Sequence, residues 1–110
     1  MKIFTTGNFL CEEPETHIEK MRGLLGRTAD SLPPGRIMLI RRCRLIHTFG
    51  MRFPLDIVFT EAAGAPVKTI RNLRPNRIAY GGFRARHTIE AAAGWLRDAP
   101  ELTTQIFSRT

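Results

Sequence analysis

The sequence predicts a mainly β domain of the α+β class. The expected form is a compact antiparallel or mixed sheet curled into a small barrel-like unit, with a short helix near residues 16–25 and another near 93–98. Three observations carry this. Short runs rich in β-branched and aliphatic residues recur at Ile37–Ile40, Leu55–Thr60, Val67–Leu73 and Thr88–Ala92, and Gly, Pro and Asn clusters separate them. One amphipathic segment near the start has a helical start signal. The helices that a doubly wound parallel sheet needs between its strands are missing.

Taken in order, Ile3 and Phe4 start a short strand, and Cys11-Glu-Glu-Pro14 reads as a loop. Thr16 and Glu19 form a capping box, each side chain able to bond the other's backbone N–H. Ile18, Met21, Leu24 and Leu25 follow at helical spacing, and Gly26 is a plausible stop. His17 falls outside that stripe and is expected to be exposed. Ser31-Leu-Pro-Pro-Gly35 is a loop by composition, and Ile37–Ile40 a buried strand. From Arg41 to His47 the alternation is imperfect, with Cys43, Leu45 and His47 on one face if extended. Leu55–Thr60 and Val67–Leu73 are strands joined by a hairpin-like turn over Glu61–Ala65. Pro75-Asn76 marks a turn, Arg77–Tyr80 a short strand, and Gly81-Gly82 a tight bend. Thr88–Ala92 is a strand, Gly94–Asp98 a helical turn ended by Pro100, and Thr103–Phe107 a last short strand.

A chain of 110 residues makes one domain with a real core. No run of ~18 apolar residues is present, so no membrane-spanning helix is expected. The segment MKIFTTGNFLCEE is too polar for a secretory leader, and the expected location is the cytoplasm. There Cys11 and Cys43 stay reduced, and both read first as small buried hydrophobes.

The net charge of +7 is unevenly placed. Residues 36–86 hold ten Arg and Lys68 against Asp56 and Glu61, which gives +9, while each flank is at −1. Such a segment would draw an anionic partner: nucleic acid, a phosphorylated ligand or an acidic protein. It reads equally as a solvated, Arg-rich surface. Arg41, Arg42 and Arg44 are the candidate anion-binding residues.

The densest motif is His47-Thr-Phe-Gly-Met-Arg-Phe-Pro-Leu-Asp-Ile-Val-Phe59, a turn feeding a strand. Its candidate site residues are His47, Arg52 and Asp56, with Cys43 just before. Cys43, His47 and Asp56 are the residue types of thiol catalysis. Yet a Cys and a His four apart on a strand lie about 13 Å apart at ~3.3 Å per residue, too far for catalysis or shared metal ligation. His47 is therefore expected to bond backbone near Gly50, and Asp56 to form an ion pair with Arg52 or another Arg or a turn hydrogen bond, the functional alternative being a polar anchor in a ligand groove. Phe49, Met51 and Phe53 read as core; exposed among arginines, they would form a stacking surface for bases. No catalytic residue, metal or cofactor is assigned. No Walker A, dinucleotide loop, HExxH or established nucleic-acid module is present.

Met21-Arg-Gly-Leu-Leu-Gly-Arg27, Cys43 through Phe59, Gly64, Leu73-Arg-Pro75, Ile89-Glu90 and Ala93-Gly94 occur in an order that resembles domain of unknown function family 192, the uncharacterised ACR proteins. The resemblance covers about residues 18–96 and implies a compact mainly β domain with a short helix or two. It implies no catalytic residues. Many members continue past Ala-Gly with a helix, a Gly-Asp turn and a strand, where this chain has Trp95-Leu-Arg-Asp-Ala-Pro-Glu101. Many also carry a leader or lipid anchor, and neither is seen here. The function expected is a non-enzymatic binding or accessory module for an anionic ligand or protein partner. Nucleic-acid binding through the Arg-rich middle is the alternative, and Cys/His-dependent hydrolysis or transfer comes third.

Overall fold

The computed structural model describes residues 1–6 and 9–94. Eight strands appear in chain order: β1 (Lys2–Thr6), β2 (Phe9–Glu13), β3 (Arg36–Ile40), β4 (Leu45–His47), β5 (Leu55–Thr60), β6 (Pro66–Leu73), β7 (Ile78–Tyr80) and β8 (His87–Ala92). One helix, α1 (His17–Arg22), and a 3₁₀ turn, Ala29–Ser31, lie between β2 and β3. Six strands form one sheet in the order β1-β2-β3-β8-β5-β6, and β4 and β7 pair as a separate ribbon. Only β2 and β3 run parallel; the other pairs are antiparallel.

The architecture is mainly β and mixed, as expected, but the sheet is open rather than barrel-like. β1 and β6 remain its two edges, because β4 and β7, which stood as further sheet strands in sequence, pair with each other instead. Cys11–Glu13, read as loop, belongs to β2. The reason is tertiary. Glu12 is clamped by Arg27 at 3.0 Å and Arg36 at 2.8 Å, and Glu13 meets Arg41 at 3.1 Å. Burial raises the cost of ionising Glu12, but the two guanidiniums outweigh it, and its carboxyl titrates below the ordinary range.

The central strands β3, β8 and β5 are buried on both faces, hence their nearly unbroken apolar runs. One face holds Met38, Ile40, Leu55, Ile57 and Phe59, covered by Leu24 and Leu32 from the β2–β3 connection and by Ile46 and Ala79 from the ribbon. The other face holds Cys11, Ile37, Leu39, Val58, Ile89 and Ala91, with Phe4 and Phe9 packed against them.

The capping box at α1 forms: the Glu19 N–H donates to Thr16 Oγ1 and the Thr16 N–H to Glu19 Oε1, both at 3.1 Å. The helix ends earlier than expected, at Gly23 in a positive-φ conformation (φ 47°). Its stripe is not core: Leu24 is buried, but Ile18, Met21 and Leu25 are exposed. The helix near 93–98 lies, from residue 95 onward, outside the described residues, as does the strand expected over 103–107. No described helix is long and apolar enough to cross a membrane.

Candidate functional site: an apolar cleft over Glu90

The β2–β3 connection and the β4–β7 ribbon cover the same sheet face without meeting fully. Between them opens a cleft of about 410 Å³, within the size range of small-molecule sites. Leu24, Ile40, Ile46, Met51 and Leu55 line it from the core, and Met21, Leu25, Leu45 and Phe49 line it as exposed residues. His17, Lys20, Arg22, Arg42 and His47 also line it, all at or near the surface. The mouth is therefore basic and the body apolar.

Two turns shape the ribbon side. Thr48 is fully buried, and its hydroxyl donates to the Arg74 carbonyl at 2.7 Å and accepts the Arg77 N–H at 2.8 Å. Its own N–H donates to the Arg77 carbonyl, and its carbonyl accepts from Met51 and Asn76. Thr48 thus ties the 48–51 turn to the 74–77 turn. Gly50 has φ +78°, and a Cβ there would lie 2.6 Å from Leu25 Cδ1, so its lack of a side chain lets Leu25 settle on the turn.

At the floor lies Glu90 of β8, 5% exposed. It stands opposite Met38 on β3 and Ile57 on β5, so its carboxyl faces the covered apolar layer. Among the described residues its carboxyl has no hydrogen-bond or ion-pair partner. Burial alone pushes it up to about 7 from an ordinary 4.5. Sequence reasoning did not single out Glu90, although an acid inside the strand Thr88-Ile89-Glu90-Ala91-Ala92 was a usable signal.

The residues that sequence reasoning did single out are dispersed. Cys43 and His47 line the cleft. The Cys43 thiol donates to the Leu45 carbonyl at 3.3 Å, and burial pushes its pKa up. His47 stacks on Phe49, ring centroids 5.4 Å apart, and its Nδ1 accepts the Phe49 N–H at 3.3 Å, one residue before Gly50. Asp56 is on the opposite sheet face, paired in register with Ala91. Its two oxygens accept the N–H groups of Asn72 and Gly94, each at 2.9 Å, and it pairs with no arginine among the described residues. Arg52 is exposed and does not line the cleft. Of the three candidate anion-binding arginines, only Arg42 borders the cleft. Arg41 turns to Glu13, and Arg44 donates to the Phe83 carbonyl at 3.2 Å. Arg41, Arg42 and Arg44 thus have three different surroundings. Phe49 is exposed, whereas Met51 and Phe53 are core as expected. Among the described residues no group of three or more His, Cys, Asp or Glu could hold a metal ion.

An open mixed sheet, covered on one side by the β2–β3 connection and the β4–β7 ribbon, defines a small mainly β domain. The chain belongs to the DUF192 family, Uncharacterized ACR, whose profile matches residues 2–100. Two solved structures are similar. One is a protein of unknown function from Novosphingobium aromaticivorans, with TM-score 0.72 and 21% identity, covering 82% of this chain and 67% of that one. The other is a Sinorhizobium meliloti protein described as a "putative transcription regulator", with TM-score 0.70 and 20% identity, covering 83% and 74%. At these identities the likeness is one of fold. No functionally curated protein matches the chain.

Proposed function

We propose that this protein is a non-enzymatic binding module that takes a small amphiphilic ligand into the cleft. The ligand's apolar body rests on Leu24, Ile46, Met51 and Leu55, and an anionic group sits at the mouth beside Lys20, Arg22 and Arg42. The observation that carries this is the coexistence of an apolar cleft and a basic rim in one concavity. A thiol enzyme is disfavoured: the Cys43 S–H points to a backbone carbonyl and burial holds it protonated.

The test is thermal-shift and native mass spectrometry with straight-chain carboxylates and the matching alcohols. Carboxylates are expected to bind about tenfold more tightly than alcohols, and Arg42→Ala with Lys20→Ala to remove that margin. Absence of binding by either series at millimolar concentration would sink the proposal.

A second reading has its own observation. Tyr80 and Phe83, with Phe49, are exposed aromatics, and Arg44 reaches the Phe83 backbone. Such a surface suits stacked bases of a single strand. At 20% identity the neighbour described as a regulator contributes only the fold, so this reading rests on the surface alone. It requires oligonucleotide binding that weakens steeply with salt and falls on Phe83→Ala.

A further inference from the structure

We infer that the ligand carries a cationic amine at the end opposite its anionic group, and that Glu90 at the cleft floor receives it. This rests on the cleft-binding reading above and deepens it by naming the ligand class: an ω-amino carboxylate-like zwitterion with an apolar chain.

A buried carboxyl ordinarily finds donors, as Asp56 does from two backbone N–H groups in the same sheet. Glu90 finds none among the described residues, yet it is only 5% exposed and borders a cavity. An acid held this way is poorly solvated when ionised, and a donor delivered from the cavity side would relieve it. Its neighbours on β3 and β5, Met38 and Ile57, are apolar and offer nothing.

Charge decides between the possible donors. The charged or titratable groups facing the cleft are His17, Lys20 and Arg22 from the α1 segment, Arg42 and Cys43 before β4, and His47 on β4. All are basic or neutral, so Glu90 is the sole acid among the described residues that line the cleft. A simple alkylamine would suit the floor and be repelled at the mouth. A simple fatty acid would suit the mouth and leave the floor unpaired. An apolar chain with an amine at one end and a carboxylate at the other satisfies both, and the low dielectric of the walls strengthens the inner pair.

Protonation follows. Near neutral pH the free protein holds Glu90 partly protonated, whereas the amine-bound form requires the carboxylate. Binding should therefore release protons and weaken as pH falls.

The experiment is titration calorimetry on the full chain with ω-amino acids from aminocaproate to aminolaurate, against the matching fatty acids and alkylamines. The best ω-amino acid is expected to bind at least ~10-fold more tightly than either partial probe. The binding heat should vary with the ionisation enthalpy of the buffer, as proton release demands. Glu90→Gln should erase both the margin and the buffer dependence. If fatty acids bind as well as ω-amino acids, the inference fails and the cleft reading stands. If no probe binds, both fail. The discrimination among probes is read on the native protein, so the test survives a poorly folding variant.

Discussion

Asp56 and Glu90 stand one register step apart on paired strands and face opposite sides of the sheet: Asp56 is opposite Ala91, and Glu90 opposite Ile57. The two acids have opposite fates. Asp56 is saturated by two backbone N–H groups and fixes structure. Glu90 has no partner among the described residues and lies beneath a cleft.

Glu90 should make stability fall as pH rises. Its folded pKa, about 7, lies above the ordinary 4.5, so the folded state binds the extra proton between those values. The penalty is absent below the ordinary value, grows through that window and is constant above it. Glu90→Gln is therefore expected to be more stable than the native protein at about pH 8, by on the order of 3 kcal/mol. The gain should vanish near pH ~4. Urea unfolding of both proteins across pH checks this. Comparing the pair cancels His87, whose pKa is lowered by burial and by Arg41 and Arg86 and whose effect has the opposite sign.

Asp56→Ala should cost about 2–4 kcal/mol, because it strands the Asn72 and Gly94 N–H groups. Asn72 has φ 56° and lies where β6 carries an irregularity opposite Asp56. Asp56→Asn keeps one accepting oxygen and should cost about half as much. Equal losses for the two variants in urea unfolding would show that the paired acceptors are not what matters.

Thr48→Val preserves shape and removes the hydroxyl that joins Arg74 and Arg77. A loss of about 2–3 kcal/mol is expected. Amide hydrogen exchange should also accelerate at Arg77, whose N–H would lose its acceptor. Unchanged protection there would refute the role.

Gly81→Ala should be destabilising by roughly 1–3 kcal/mol through overpacking. The added Cβ would lie 2.5 Å from Phe59 Cδ1 and 2.8 Å from Ala85 Cβ, inside the core. Relief by the double variant Gly81→Ala, Phe59→Leu, relative to the sum of the single costs, is the diagnostic outcome in thermal unfolding.

Local features were legible wherever the cause is local. The Thr16–Glu19 box needs only residues three apart, and it formed. The strands at Ile37–Ile40, Leu55–Thr60 and Thr88–Ala92 announced themselves by apolar runs that both-sided burial demands. Cys11–Glu13 was misread because two glutamates before a proline look like loop, and the arginines that neutralise them are at least 15 residues away. For the stripe Ile18, Met21, Leu24 and Leu25, periodicity reports that a face is apolar, not what lies against it; here Leu24 is buried while Met21 and Leu25 border the cleft as exposed residues.

By itself the sequence determined the mainly β class, the capped helix start, the positions of β3, β5, β6, β7 and β8, and the family. Only the tertiary structure decided that the sheet stays open, that the arginines disperse, that Asp56 is a brace, and that Glu90 faces a cavity. The physical reason is that alternation sets which residues share a strand face, whereas strand partners and the layer above them are chosen by long-range pairing and packing that no local window contains.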